Sequence, residues 1–190
     1  YDQWQGWDGR STNYTISGYL NKKCVSPLYK TGPGADIYPY PMFRMAEMYL
    51  NYAEALIETQ DPANFATVKE YIDKVRTRAG ILGVDAAWAK SKAGKGYADT
   101  YEGLQAIVRQ ERQIEFYLEN HNFWDLRRWK AAESLGKVPE GMNISGSTDE
   151  TFLTVKKLNV IRNFARKNYL MPIPIGEVNK VPQVIQNPEY

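Results

Sequence analysis

Apolar residues recur at helical spacing in three stretches of the chain. Phe43, Ala46, Leu50, Ala53 and Ile57 form one stripe, and Phe65, Val68, Ile72, Val75 and Ala79 form a second. Steps of three and four residues put such positions on one face of a helix. Between the stripes, Asp61-Pro62 predicts an N-cap followed by a first helical residue, and Gly80 predicts a C-cap. The pair reads as an antiparallel helical hairpin about the length of one tetratricopeptide unit. One hairpin cannot bury both of its faces, so further helices are implied. The third stripe is Leu104, Ile107, Ile114 and Leu118, opened in the manner of a capping box by Asp99 and Glu102. Glu111 falls inside that stripe, where an unpaired charge costs several kcal/mol. The nearby run Asp125-Leu-Arg-Arg-Trp129 offers the cations to pair with it, and predicts a shorter helix over roughly 123–134.

The remaining sequence is less periodic. Residues 1–41 are rich in Trp, Tyr, Gly, Ser and Asn and are punctuated by four prolines, which predicts an irregular lobe. Within it, Tyr14-Thr-Ile-Ser-Gly-Tyr-Leu20 alternates as a short strand does. Residues 80–99 read as a Gly/Ala/Lys-rich connection, 136–152 as a loop, and 153–166 as ambiguous. Prolines 172, 174, 182 and 188 predict an extended tail with one turn near Glu177. The fold class expected is mainly α, with an aromatic, loop-rich lobe at 1–41 ahead of a helical region at 42–190.

Composition narrows the chemistry. A net charge of +2, with basic residues scattered among acidic ones, gives no footprint for nucleic acid. One Cys and one His exclude a Cys/His zinc cluster within this chain, and no acidic loop has calcium-ligand spacing. Cys24 reads as a small buried hydrophobe. No cofactor is implied. Glu111, Glu115 and Glu119 repeat every four residues, but glycosidase carboxylates face each other across a cleft, about 5–10 Å apart. Neighbours on one helix, interleaved with Arg109 and Arg112, read as ion pairs instead. His121 has no nucleophile motif around it, and Gly94-Lys-Gly96 lacks the rest of a phosphate loop.

Binding is better supported by composition. Fourteen Tyr and five Trp exceed what a small helical core needs. Such rings offer an apolar body to the C–H face of a sugar and a polar tip to its rim. The opening Tyr1-Asp-Gln-Trp-Gln-Gly-Trp-Asp-Gly-Arg10 mixes rings with hydrogen-bonding groups and has no helical period. Trp4 and Trp7 are the candidate platforms, Asp8 and Arg10 their hydrogen-bonding partners, and Trp88 a further ring. Trp124 and Trp129 are expected in the core. Arg44, Glu47 and Glu54 are expected to bridge packed helices.

Three blocks carry a family resemblance. Glu111-Arg112, Glu115 and Phe123-Trp-Asp-Leu-Arg-Arg-Trp129 resemble the E-R-x-x-E…D-L-x-R-W pattern of the SusD/RagB family of nutrient-binding surface lipoproteins. Arg44-Met-Ala-Glu-Met-Tyr-Leu-Asn-Tyr-Ala-Glu-Ala55 resembles its R-x-A-E-x-x-L-x-x-A-E-A helix. Tyr169-Leu-Met-Pro-Ile-Pro174, Glu177 and Gln186-Asn-Pro-Glu-Tyr190 resemble its closing P-I-P…E…Q-N-P-x-Y. The resemblance implies the C-terminal portion of a SusD-like, tetratricopeptide-containing fold, without catalysis. It implies surface capture of glycans, or in some members peptides, and delivery to a SusC-like TonB-dependent transporter of the outer membrane. A longer precursor would supply the signal peptide, the lipid-bearing cysteine and the rest of the pocket. The competing expectation is a helical-repeat scaffold that binds protein and no small ligand. A carbohydrate-active enzyme would instead require two carboxylates facing each other across an aromatic cleft.

Overall fold

A computed structural model describes residues 21–26, 28, 40–143 and 146–190 of the 190. Six helices are present among them: α1 (Met45–Ile57), α2 (Phe65–Arg78), α3 (Val84–Trp88), α4 (Tyr101–Glu115), α5 (His121–Arg128) and α6 (Ile175–Lys180). Two three-residue strands, β1 (Glu140–Met142) and β2 (Val155–Lys157), pair antiparallel with Gly141 opposite Lys156. The fold is mainly α, as the periodicity predicts. The chain divides into two units, Cys24–Trp124 and Tyr1–Lys23 with Asp125–Tyr190, and the division falls within α5.

The Cys24–Trp124 unit is built around the hairpin. Ala46, Leu50, Ala53 and Ile57 of α1 are buried against Val68, Ile72 and Val75 of α2, and Leu104, Ile107 and Val108 of α4 close the core. Each fully buried Leu or Ile contributes about 1.5–3 kcal/mol of hydrophobic free energy, so this shared face is what holds the three helices together. Asp61 accepts the Ala63 N–H at 2.9 Å as a cap, with Pro62 first in a 3₁₀ turn ahead of α2. Gly80, at φ 73°, ends α2 in the left-handed conformation that favours glycine.

The structure departs from the sequence pattern at several points. The cap of α4 is Thr100, whose hydroxyl accepts the Gly103 N–H at 3.1 Å; Asp99 instead takes an ion pair from Lys69 at 2.6 Å. The third stripe stops early. Leu104 and Ile107 are buried, but Ile114 is 63% exposed and Leu118 is 51% exposed. Leu118 leaves the stripe because α4 ends at Glu115, and Leu118 and Asn120 then turn the chain through left-handed φ values of 63° and 66°; Ile114 sits in the exposed last turn. Phe43 lies before α1 and is exposed, as is Ala79 after α2. The connection 80–99 is not featureless: it holds α3 and a 3₁₀ segment, Lys95–Asp99. Cys24 is half-buried at φ 61° rather than a core residue. Trp124 is 58% exposed and Trp129 half-buried beside the Arg128 guanidinium, so neither is a core ring.

In the second unit, the closing motif latches the tail. The Gln186 carboxamide accepts the Ile173 N–H and donates to the Ile173 carbonyl, both at 2.8 Å, so one side chain imitates a strand pairing. Asn187 donates to the Met171 carbonyl, and the Tyr190 hydroxyl donates to the Leu170 carbonyl at 3.1 Å. The Q-N-P-x-Y residues therefore satisfy the backbone of the proline-bearing segment, which pairs with no strand among the described residues. α6 supplies the single turn expected near Glu177.

Candidate functional site

Glu111 and Glu115 of α4, and Glu119 just beyond it, are committed to guanidinium groups. Glu111, 5% exposed, is bound by Arg76 of α2, whose Nε also donates to the Leu82 carbonyl at 2.6 Å. Glu115 is bound by Arg44 and by Arg78, the latter at 2.7 and 2.8 Å. Glu119 holds the other edge of the Arg44 guanidinium at 2.6 and 2.7 Å. Arg112 reaches back to α1, to Glu54 at 3.2 Å and Asn51 at 2.6 Å. Arg109 pairs with Glu58 at 3.4 Å. The ion-pair reading of these residues stands, with partners drawn from α1, α2 and the residues that cap α1.

This also corrects the expected partner of Glu111. Arg76 takes that place; within the Asp125-Leu-Arg-Arg-Trp129 run, Arg128 folds back onto buried Asp125 at 2.8 Å. Arg76 lies four residues after Ile72 on the buried face of α2, a spacing that marks it for burial without naming its partner. Phe116, 1% exposed, packs under the Arg44 and Arg112 guanidiniums at 4.9 and 5.2 Å and against the His121 ring at 4.5 Å. The first and second sequence blocks are thus one interlocked set, with Arg44 and Glu54 from one meeting Glu115 and Arg112 from the other. Its chemistry is structural. Among the described residues no group of three or more His, Cys, Asp or Glu is arranged to hold a metal ion.

Of the expected ligand-binding residues, the structure places Trp88. It closes α3, is half-buried against the helical core, and has the Arg76 guanidinium 5.4 Å from its ring. Arg76 is itself anchored by Glu111, so the core ion pair also sets what stands beside the Trp88 ring. Trp4, Trp7, Asp8 and Arg10, like the strand expected at 14–20, lie outside the described residues.

The SusD family model matches residues 5–190. The chain belongs to the SusD family. Its members are binding proteins of nutrient uptake, which the three sequence blocks anticipate. Among solved structures, the SusD-family chain is similar to BT4246, at 29% identity and a TM-score of 0.76 over 94% of this chain and 29% of that one. It is also similar to a SusD-like protein, BF3747, from Bacteroides fragilis NCTC 9343, at 28% identity and a TM-score of 0.65, covering 85% of this chain and 28% of that one. It therefore spans less than a third of the length of either solved relative. No curated protein matches it. Among the described residues no helix is long and apolar enough to cross a membrane.

Proposed function

We propose that this SusD-family chain is part of a non-catalytic, lipid-anchored protein of the outer-membrane surface. It captures glycans, with peptides as the second ligand class, and passes them to a SusC-like TonB-dependent transporter. The family match over residues 5–190 carries the reading. The commitment of Glu111, Glu115 and Glu119 to guanidiniums supports it, because those carboxylates hold the helices together. Trp4 and Trp7 are the stacking platforms, Asp8 and Arg10 bind hydroxyls at the rim, and Trp88 adds a ring.

A tryptophan-fluorescence titration against neutral oligosaccharides and peptides tests this. A saturable response that disappears in Trp4→Ala and Trp7→Ala variants is expected. A response that survives both substitutions overturns the placement of the site.

One observation favours the scaffold reading. Met42 and Phe43 ahead of α1, and Met45, Met48 and Tyr52 along it, are 46–82% exposed, an apolar surface suited to a protein partner. That reading predicts no oligosaccharide response and loss of transporter capture in pull-downs when Met45 and Met48 are replaced by Glu.

A further inference from the structure

A cavity of about 480 Å³ opens in the Asp125–Tyr190 unit, lined by Lys130, Glu133, Arg166, Lys167, Tyr169 and Glu189 with Leu170 and Pro188 as apolar wall. Its volume falls in the range of small-ligand sites, roughly 300–1,000 Å³. Two of its charged residues stand where the backbone favours glycine. Lys130, at φ 51°, follows α5 in a helix-ending turn in which Lys130 N–H donates to Arg127 and Ala131 N–H to Leu126. Glu189, at φ 69°, follows Pro188 in the turn closed by Tyr190 N–H on Asn187. Glycine adopts such φ values without steric cost, and lysine and glutamate do not. Strain of this kind concentrates at ligand sites, and both side chains line the same cavity.

The charges define the ligand. Of the ion pairs among the described residues, none involves Lys130, Arg166 or Lys167. The Lys167 ammonium instead lies 5.2 Å from the Tyr190 ring. Glu133 is occupied by the Tyr169 hydroxyl, which in turn accepts the Ala132 N–H at 3.1 Å. That leaves three cations to receive an anion, with Glu189 free to accept from hydroxyls and an apolar wall to meet a C–H face. We infer that this cavity binds a uronic-acid residue of an acidic glycan, its carboxylate held by Lys130, Arg166 and Lys167. The preference for an anion rests on the cavity's own residues; the choice of a sugar rests on the glycan-binding reading above.

Calorimetric titration of the whole chain with trigalacturonate, its neutral methyl ester and citrate tests the inference. Trigalacturonate should bind and the ester at least tenfold more weakly. The Lys130→Gly variant separates binding from folding: it should raise Tm by about 2–4 °C, by relieving the left-handed lysine, yet weaken trigalacturonate at least tenfold. Lys130→Arg should retain binding. Equal binding of acid and ester, or undiminished binding in Lys130→Gly, overturns the site. Binding of citrate without trigalacturonate overturns the sugar. Lys130-dependent binding of trigalacturonate that persists in Trp4→Ala and Trp7→Ala, with neutral oligosaccharides silent, upholds this site while the platform reading fails.

Discussion

Burial drives the Glu111 carboxyl toward its neutral form, and the Arg76 guanidinium opposes that drive; the net effect is a raised pKa. The pair is therefore a balance between desolvation and attraction, and removing one member tests it. Arg76→Met should lower stability by about 3–5 kcal/mol, because a buried carboxylate loses its only strong compensation. Arg76→Met combined with Glu111→Leu should recover most of that loss, leaving the double variant within about 2 kcal/mol of the parent. Urea denaturation of the four proteins reads the cycle. A single variant costing under about 1 kcal/mol would mean that Glu111 is protonated in the fold and needs no guanidinium. The Trp88 ring should report the same change, since Arg76 stands beside it.

Element boundaries carry their own tests. Gly103 sits in the first turn of α4, and a Cβ there would come within 1.9 Å of the Tyr97 carbonyl oxygen. Helix propensity favours alanine by about 1 kcal/mol, but overpacking against backbone costs about 1–3. Gly103→Ala should therefore destabilise, visible as a lower urea midpoint; a gain would mean that the 3₁₀ segment ahead of α4 yields easily. In the tail, Gln186→Met keeps the volume but removes both bonds to Ile173. It should cost about 1–3 kcal/mol and speed hydrogen exchange of the Ile173 amide; unchanged exchange would sink the latch. These elements also mark how far sequence reasoning reaches. The α1 and α2 stripes were legible because burial follows periodicity. The Arg76–Glu111 pairing was not, because several arginines were chemically equivalent partners and only packing chooses between them. Asp99 and Thr100 both spell a cap, and the neighbouring Lys69 drew Asp99 away. β1 and β2 are short, and β2 is fully exposed, so alternation left no trace of them. Lys130 and Glu189 occupy glycine-favouring positions, which no reading of turn residues would assign to them. The proposed platforms Trp4 and Trp7 rest on composition alone, since they mix with polar groups outside any helical period and lie outside the described residues.

At the scale of the whole molecule, these groups shape stability against pH with opposite signs. Glu111 has a folded pKa above its ordinary value of 4.5, so the folded state binds its proton more tightly than the unfolded chain does. Its contribution is fully present below 4.5 and is lost as pH rises through the raised value. Glu133 runs the other way. The Tyr169 hydroxyl lowers its pKa, so its contribution is present above 4.5 and is lost as pH falls through the lowered value. Lys69 is retained far into alkali: burial opposes its charge, but the hydrogen bonds to Asp85 and Asp99 outweigh that and raise it above 10.5. Between these limits Glu111 is the carboxyl whose ionisation works against the fold. In Glu111→Gln the group is neutral at every pH while Arg76 stays charged, so the difference between variant and parent isolates that one titration. The difference should move in favour of the variant from about pH 4 upward and level off above the raised pKa, as measured by urea denaturation at each pH. A flat difference would mean that Arg76 compensates the burial of Glu111 completely. A slope of the opposite sign would mean that attraction exceeds desolvation, and that the ion pair is a net source of stability at neutral pH.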